Sequence, residues 1–273
     1  MPVMLIFGPG YTGSRVAAAL RAREWEVIGI GRGAAPELVR EDLSRATHVL
    51  SSVPPEGEAD PVLGQHGAAI IGSRAWLGYL SSTGVYGDSG GAWVDESAAL
   101  AGRRGGRIAA DGAWLALGAR VFRLPGIYGP GRSVLDRLAA GAAHRVDLPG
   151  QVFSRVHVDD IVAGVIAGIE RGPAGAYNLA DDLPASQNAV VEAACALTGT
   201  ALPPLIGLDD ARLSPMARAF YGENRRIANG RARRLLGWRP AYPTYRAGLR
   251  ALIATTSPAS TSAPPSAAST DQR

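Results

Sequence analysis

The chain has 273 residues, 47% of them hydrophobic and 19% charged, with a formal net charge of +4. That length supports one sizeable core plus a smaller lobe, and the composition excludes a fibrous or wholly disordered polymer. No run approaches the roughly 18 apolar residues of a membrane span, and the first residues enter a strand pattern instead of a charged segment, apolar run and cleavage site, so a cytoplasmic protein with no membrane partner is expected.

Val3 to Phe7 is a short, continuously apolar run, the pattern of a strand buried on both faces of a parallel sheet. The turn Gly8-Pro9-Gly10-Tyr11-Thr12-Gly13 follows it directly. From Thr12 to about Arg23, Val16, Ala17 and Leu20 recur at helical spacing, and Glu26 to Ile30 returns to strand character. These segments predict a βαβ unit. Further strands are predicted at His48 to Ser52, Trp76 to Leu80 and Arg120 to Leu124. Between them, Asp60-Pro61 reads as an N-cap and first-turn proline opening a helix to about Ile71, and Ile108 to Leu117 reads as another helix.

Beyond Pro125-Gly126 the alternation loosens, with helices predicted at Val134 to Ala140, Asp159 to Ile169, Ser186 to Leu197, Arg231 to Leu236 and Thr244 to Ala254. The expected architecture is α/β: a Rossmann-type doubly wound parallel sheet over residues 1–130, to which later segments return. A smaller, mainly helical substrate lobe is expected over 131–254, then a disordered Ser/Thr/Ala/Pro tail over 255–273. The lone cysteine, Cys195, falls in a predicted helix core, and four scattered histidines have no metal-binding spacing, so no metal is expected. The arginines are dispersed, densest at Arg103, Arg104 and Arg107 and from Arg225 to Arg234, which argues against a nucleic-acid partner. All 28 basic residues are arginine; the chain contains no lysine.

The glycine turn carries the chemistry. In a G-x-G-x-x-G turn between a buried strand and a helix, Gly8 permits the tight turn, Gly10 lets backbone approach a pyrophosphate, and Gly13 lets helix and sheet pack closely. Tyr11 and Thr12 open a helix whose free N–H groups and dipole suit a diphosphate. Ser51, at the carboxyl end of the third strand, is counted with this cofactor site. Where an NAD site usually places a carboxylate, this chain has Gly31-Arg32-Gly33; Arg32 can pair with a 2′-phosphate, so NADP(H) is expected over NAD(H). Asp42, expected just before a helix, reads either as an acceptor for the adenine amino group or as a helix cap.

Several segments, in order, now make a resemblance explicit: LIFGPGYTGSRV, SSTGVYGD from Ser81 to Asp88, RLPGIYGPGR from Arg123 to Arg132, and RVHVDDIV from Arg155 to Val162. Over residues 1 to about 254 the chain resembles extended or atypical short-chain dehydrogenase/reductases of the NAD-dependent epimerase/dehydratase superfamily. The resemblance implies an NAD(P)-binding oxidoreductase or epimerase acting on a small carbonyl or sugar-like substrate. It places Ser82 beside the nicotinamide, bonding the reacting oxygen, with Thr83 adjacent. Pro125 falls in the nicotinamide-flanking loop, Tyr128 opens the substrate lobe, and Arg132 faces either an anionic substrate group or solvent. His157 is implied to be structural, and Asp159 and Asp160 read as a helix cap and first-turn acid.

The chain departs from the family at the reaction itself. Such enzymes use a Tyr-x-x-x-Lys pair, and a chain without lysine has none. With Asp111 at the family's usual acidic position, Arg107 falls on the lysine position and Arg103 on the tyrosine position. Arginine at 107 can supply charge and bind ribose, whereas arginine at 103 has no accessible neutral form for proton exchange. Tyr86 is the phenol nearest the inferred nicotinamide and is the remaining acid/base candidate. Two readings stay open: an enzyme with a non-standard proton-transfer group, or a dinucleotide-binding regulator or redox sensor without turnover. The resemblance also implies a homodimer pairing through the helix bearing Ile108, Ala109, Trp114 and Leu115, although a helix packed on the sheet accounts for the same apolar residues.

Overall fold

The computed structural model describes residues 1–210, 213, 218 and 221–256. Strand β1 (Val3–Phe7) is buried throughout. Its alternate side chains serve two separate cores: Met4 and Ile6 one, Leu5 and Phe7 the other. This is the period-2 geometry of a strand covered on both faces. It pairs in parallel with β2 (Glu26–Ile30) on one side and β3 (His48–Ser51) on the other. From β3 the sheet continues through β4 (Trp76–Ser82), and later strands, named below, complete it on that side.

Chain order runs outward from β1 to β2, then jumps back across β1 to β3, so the switch in direction lies between β1 and β3. At such a point the loops leaving the carboxyl ends of the two strands diverge and leave a crevice. The segments after β1 and β3 begin at Gly8 and Ser52, the two sides of that crevice.

Helices α1 (Tyr11–Arg21), α2 (Pro36–Arg45), α3 (Pro61–Ser73) and α4 (Gly105–Ala116) connect the strands. Asp60 caps α3, its Oδ1 accepting from the N–H groups of Val62 and Leu63 at 2.9 Å each, while its Oδ2 accepts from Trp114 Nε1 at 2.8 Å. One carboxylate thereby fixes a helix start and docks it on α4. Trp114 is fully buried in the core formed with α2 and α3, so the apolar residues of α4 have at least one sheet-side partner in the monomer.

Short β5 (Trp93–Val94) precedes α4 in the chain, and β6 (Arg120–Leu124), which pairs with β4, follows it. A second ladder joins β7 (Gly126–Tyr128) to β9 (Arg155–His157), and a third joins β8 (Arg145–Val146) to β11 (Leu205–Ile206). Helix α5 (Val134–Ala139) lies between β7 and β8. Helix α6 (Val158–Glu170) then returns to the main sheet and packs with α1, and β10 (Gly175–Asn178) closes the sheet beside β6, giving the order β10-β6-β4-β3-β1-β2. The short strand β12 (Arg226–Ile227) pairs with β5, and the helix Gly230–Leu236 packs on the α1/α6 face.

A separate hydrophobic cluster joins α5, α7 (Gln187–Thr198) and the helix Tyr245–Thr256, around Val134, Val191, Cys195 and Leu249. Asp159 does not cap α6: His157 does, its Nδ1 accepting from Asp159 N–H at 3.3 Å. Asp160 instead accepts from the N–H groups of Ala241 and Tyr242, and burial holds its pKa up to about 6. The last helix runs through Thr256, two residues into the tail expected from Thr255; residues 257–273 lie outside the described residues. Among the described residues no helix is long and apolar enough to cross a membrane, and no His/Cys/Asp/Glu group has metal-site geometry.

Candidate functional site

The turn after β1 is built as its glycines require. Gly8 has φ +70°, a conformation costly for other residues, and a Cβ there would meet Val53 Cγ2 at 2.8 Å. A Cβ on Gly13 would meet Gly8 O at 3.1 Å and Ile6 Cγ2 at 3.3 Å, which is the close helix-on-strand approach. Ser52 holds the turn from the opposite side, its hydroxyl donating to Gly8 O at 2.6 Å. Helix α1 has Gly10 as N-cap with no side chain bonding its first N–H groups, so these donors stay available to an anion.

This turn forms one end of a cleft of about 960 Å³. Its wall includes Gly8 to Thr12, Ile30 to Ala34, Ser52 to Pro54, then Gln65 and His66 from α3, and at the far end Ser82, Arg107, Pro125 and Arg132. Arg32 is exposed on this wall with no ion pair or hydrogen bond among the described residues. Arg132 stands over the Tyr11 ring, 5.4 Å from its centroid, and Tyr11 donates to Pro130 O at 3.1 Å. Two of the cofactor-site expectations are corrected. Asp42 lies in the last turn of α2, bonded to Arg45, which also pairs with Glu26 at the opposite end of β2 from the cleft. Ser51 is fully buried under the sheet end and does not reach the wall; Ser52 does. Ser51 is the last residue of β3, within the sheet, and Ser52 begins the loop that forms the wall.

A second cavity, of about 300 Å³, adjoins the first. Ser82, Arg107, Leu124, Pro125 and Gly126 belong to both walls. Ser82 is half-buried, and its Oγ accepts from Gly84 N–H at 3.1 Å, which leaves its own proton free to donate. Thr83 is buried at the edge of the second cavity. The rest of that wall comes from three places far apart in the chain: Arg103 and Arg104 before α4, Val152 to Ser154, and Glu223, Arg225 and Ile227. Sequence reasoning gave the last two groups no site role, because they meet the rest of the wall only through folding.

Tyr86 is not available as an acid or base. It is 3% exposed and lines neither cavity; its hydroxyl donates to Asn178 Oδ1 at 2.8 Å and accepts from Arg123 Nη1 at 3.0 Å. Burial pushes its pKa up, despite the neighbouring Arg123 charge. Arg123 in turn holds the buried Asp111 in a two-point ion pair, at 2.7 and 3.1 Å, and Ser81 donates to the same carboxylate at 2.6 Å. The network locks β4, α4, β6 and β10 together directly behind Ser82. Tyr128 lines neither of these cavities: it is buried edge-on against His157 at 5.1 Å, and lines a third cavity of about 380 Å³ with Arg132.

No family model matches the chain. A solved structure of a functionally unknown conserved protein from Silicibacter pomeroyi is 42% identical, with 93% of this chain and 99% of that one covered, at a TM-score of 0.85. The chain belongs to the family of that protein. Its fold is that of the NAD-dependent epimerase/dehydratase superfamily, the extended short-chain dehydrogenase/reductases. A human epimerase family protein, solved with NADPH, shares the family's fold at 15% identity and a TM-score of 0.76, covering 92% of this chain and 99% of that one. A 3-diazoavenalumate denitrifying reductase from Streptomyces sp is 30% identical over 140 residues, or 47% of this chain and 45% of the reductase. The chain thus matches less than half the length of that curated relative.

Proposed function

We propose that the chain is an NADP(H)-dependent oxidoreductase that acts on a small carbonyl compound or the corresponding alcohol. The observation that carries this reading is the wall shared by the two cavities, with Ser82 and Arg107 standing where the long cleft meets the second pocket. The long cleft suits a dinucleotide: at Gly10 the backbone lies open, its missing Cβ having Gly8 O at 4.0 Å as nearest neighbour, and the uncapped N-terminus of α1 supplies donors for a pyrophosphate. Arg32 is free to pair with a 2′-phosphate, and Gln65 and His66 stand on the neighbouring wall. The reductase and NADPH-bound relatives support the same reading.

A bound nicotinamide supplies or accepts the hydride. Ser82 donates a hydrogen bond to the reacting oxygen, and the proton that completes the alcohol passes through this hydroxyl from solvent, which reaches the pocket past exposed Arg103 and Arg104. Arg107 holds positive charge beside the developing oxyanion. A second reading, a dinucleotide sensor without turnover, is favoured by one observation: among the described residues no tyrosine, histidine or cysteine lines the second cavity.

Calorimetric titration with NADPH and NADH tests the cofactor. NADPH is expected to bind more tightly, and Arg32→Ala to weaken NADPH by roughly 10- to 100-fold while leaving NADH nearly unchanged, the range for a charge-assisted bond. An undiminished preference in Arg32→Ala removes the 2′-phosphate assignment. For the reaction, Ser82→Ala is expected to keep NADPH binding and lose about 10²-fold or more in kcat on an aldehyde panel, the scale of one lost oxyanion donor. Tight NADPH binding with no turnover by the wild type across that panel would favour the sensor.

A further inference from the structure

We infer that the second cavity is an oxyanion pocket: the compound bound there is a small acid whose carboxylate or phosphate is held by guanidinium groups, its apolar body lying against the opposite wall. Calling that compound the substrate rests on the function proposed above; the charge of the pocket does not.

Among the described residues four arginines, Arg103, Arg104, Arg107 and Arg225, line this cavity of about 300 Å³ against a single carboxylate, Glu223. Glu223 is already engaged by two of them, 2.7 Å from Arg103 Nε and 2.6 Å from Arg225 Nη1, and their charges hold its pKa below the usual range. Arg104 and Arg107 make no salt bridge among the described residues and gain no compensation from Glu223. Guanidinium groups do not lose their protons at accessible pH, so the excess positive charge is permanent. Helix α4 begins at Gly105 with no acidic residue in its first turn, which leaves the positive end of its dipole on the same side.

The remaining wall selects the rest of the molecule. Val152, Phe153 and Ile227 give an apolar surface facing the arginines. A volume of about 300 Å³ is at the lower limit for pockets that enclose drug-sized ligands, so the pocket fits a compact acid better than a whole nucleotide sugar. Positions 103 and 107, which correspond by motif to the proton-transfer tyrosine and lysine of related enzymes, have become part of an anion-recognition surface.

The test is calorimetric titration of the full chain, loaded with NADPH, using three matched aldehydes: 4-formylbenzoate, its methyl ester and 4-formylphenyl phosphate. At least one anion is expected to bind about tenfold or more tightly than the neutral ester, and added salt should shrink the gap. The tighter of the two anions identifies the group as carboxylate or phosphate. Arg104 is exposed and outside the buried networks, so Arg104→Glu should fold; it is expected to erase the anion preference while leaving ester binding unchanged. Equal binding of ester and anions, or a preference that survives Arg104→Glu, overturns the proposal. Terephthalate titrated into the cofactor-free chain separates the two readings. If NADPH fails to bind but terephthalate binds in an Arg104-dependent way, the oxidoreductase reading falls and the oxyanion pocket stands; NADPH binding without any anion preference gives the reverse.

Discussion

Asp111→Ala is expected to destabilise the fold by about 3–5 kcal/mol, a large part of the roughly 5–15 kcal/mol that holds a typical domain together. Asp111 is fully buried and Arg123 is 3% exposed. Burial alone would pull the Arg123 pKa down, but the Asp111 bonds reverse this and raise it. Removing the carboxylate leaves a guanidinium that can neither deprotonate nor reach water, and it also strips Ser81 of its acceptor. Urea unfolding followed by circular dichroism measures the loss. The double variant Asp111→Ala/Arg123→Met is expected to recover most of it, because the cost comes from the orphaned charge and not from the absence of a pair. A double variant as unstable as the single one would show that the loss has another source.

The second large effect is on pH dependence. Asp181 is 1% exposed, and neither of its oxygens has a hydrogen-bond partner among the described residues. Burial pushes its pKa up to about 8, and Arg155 offsets this only in part; Arg155 is itself pulled down to about 10 by burial. A carboxyl group with a folded-state pKa above its unfolded value of about 3.9 keeps a proton in the folded state that the unfolded chain has already lost. Its contribution to stability is therefore complete below about pH 4, declines as the pH rises toward about 8, and stays lost above that. The shift corresponds to a decline on the order of 5 kcal/mol. Asp160, raised to about 6, adds a decline of the same sign over a narrower range, up to that pH. Asp181→Asn, which keeps the shape without the titration, is expected to flatten most of the decline between pH 6 and 8 and to exceed wild-type stability at pH 8. Urea midpoints at several pH values decide this; an unchanged slope in Asp181→Asn would mean that other groups carry it.

The parts of this protein legible in its sequence share one property: they depend on neighbours along the chain. The buried run Val3–Phe7, the glycine turn and the Asp60-Pro61 helix start are local patterns whose geometry follows from backbone sterics and capping, and each appears in the structure where its pattern placed it. Ser82 and Arg107 reach the wall between the cavities because each is fixed by its own element, β4 and α4. Asp42 does not precede a helix because the helix around it, Pro36–Arg45, begins six residues before it, at a proline in its first turn. Ser51 and Ser52 are separated by where β3 ends, and Tyr86 is held away from both cavities by Asn178 and Arg123, partners 92 and 37 residues away.

The sequence by itself determined the cofactor-binding frame, the cation at position 32 and the absence of a lysine for family proton transfer. These are facts of residue identity and short-range geometry. Only the tertiary structure decided what surrounds Arg103 and Arg107, the residues at the positions of the missing pair. The second cavity gathers Arg103, Arg104, Arg107, Phe153, Glu223 and Arg225 from three distant segments, and no spacing rule links them. Net charge in a pocket is a sum over groups brought together by packing, so arginines dispersed along the chain form one cationic wall once the fold closes around them.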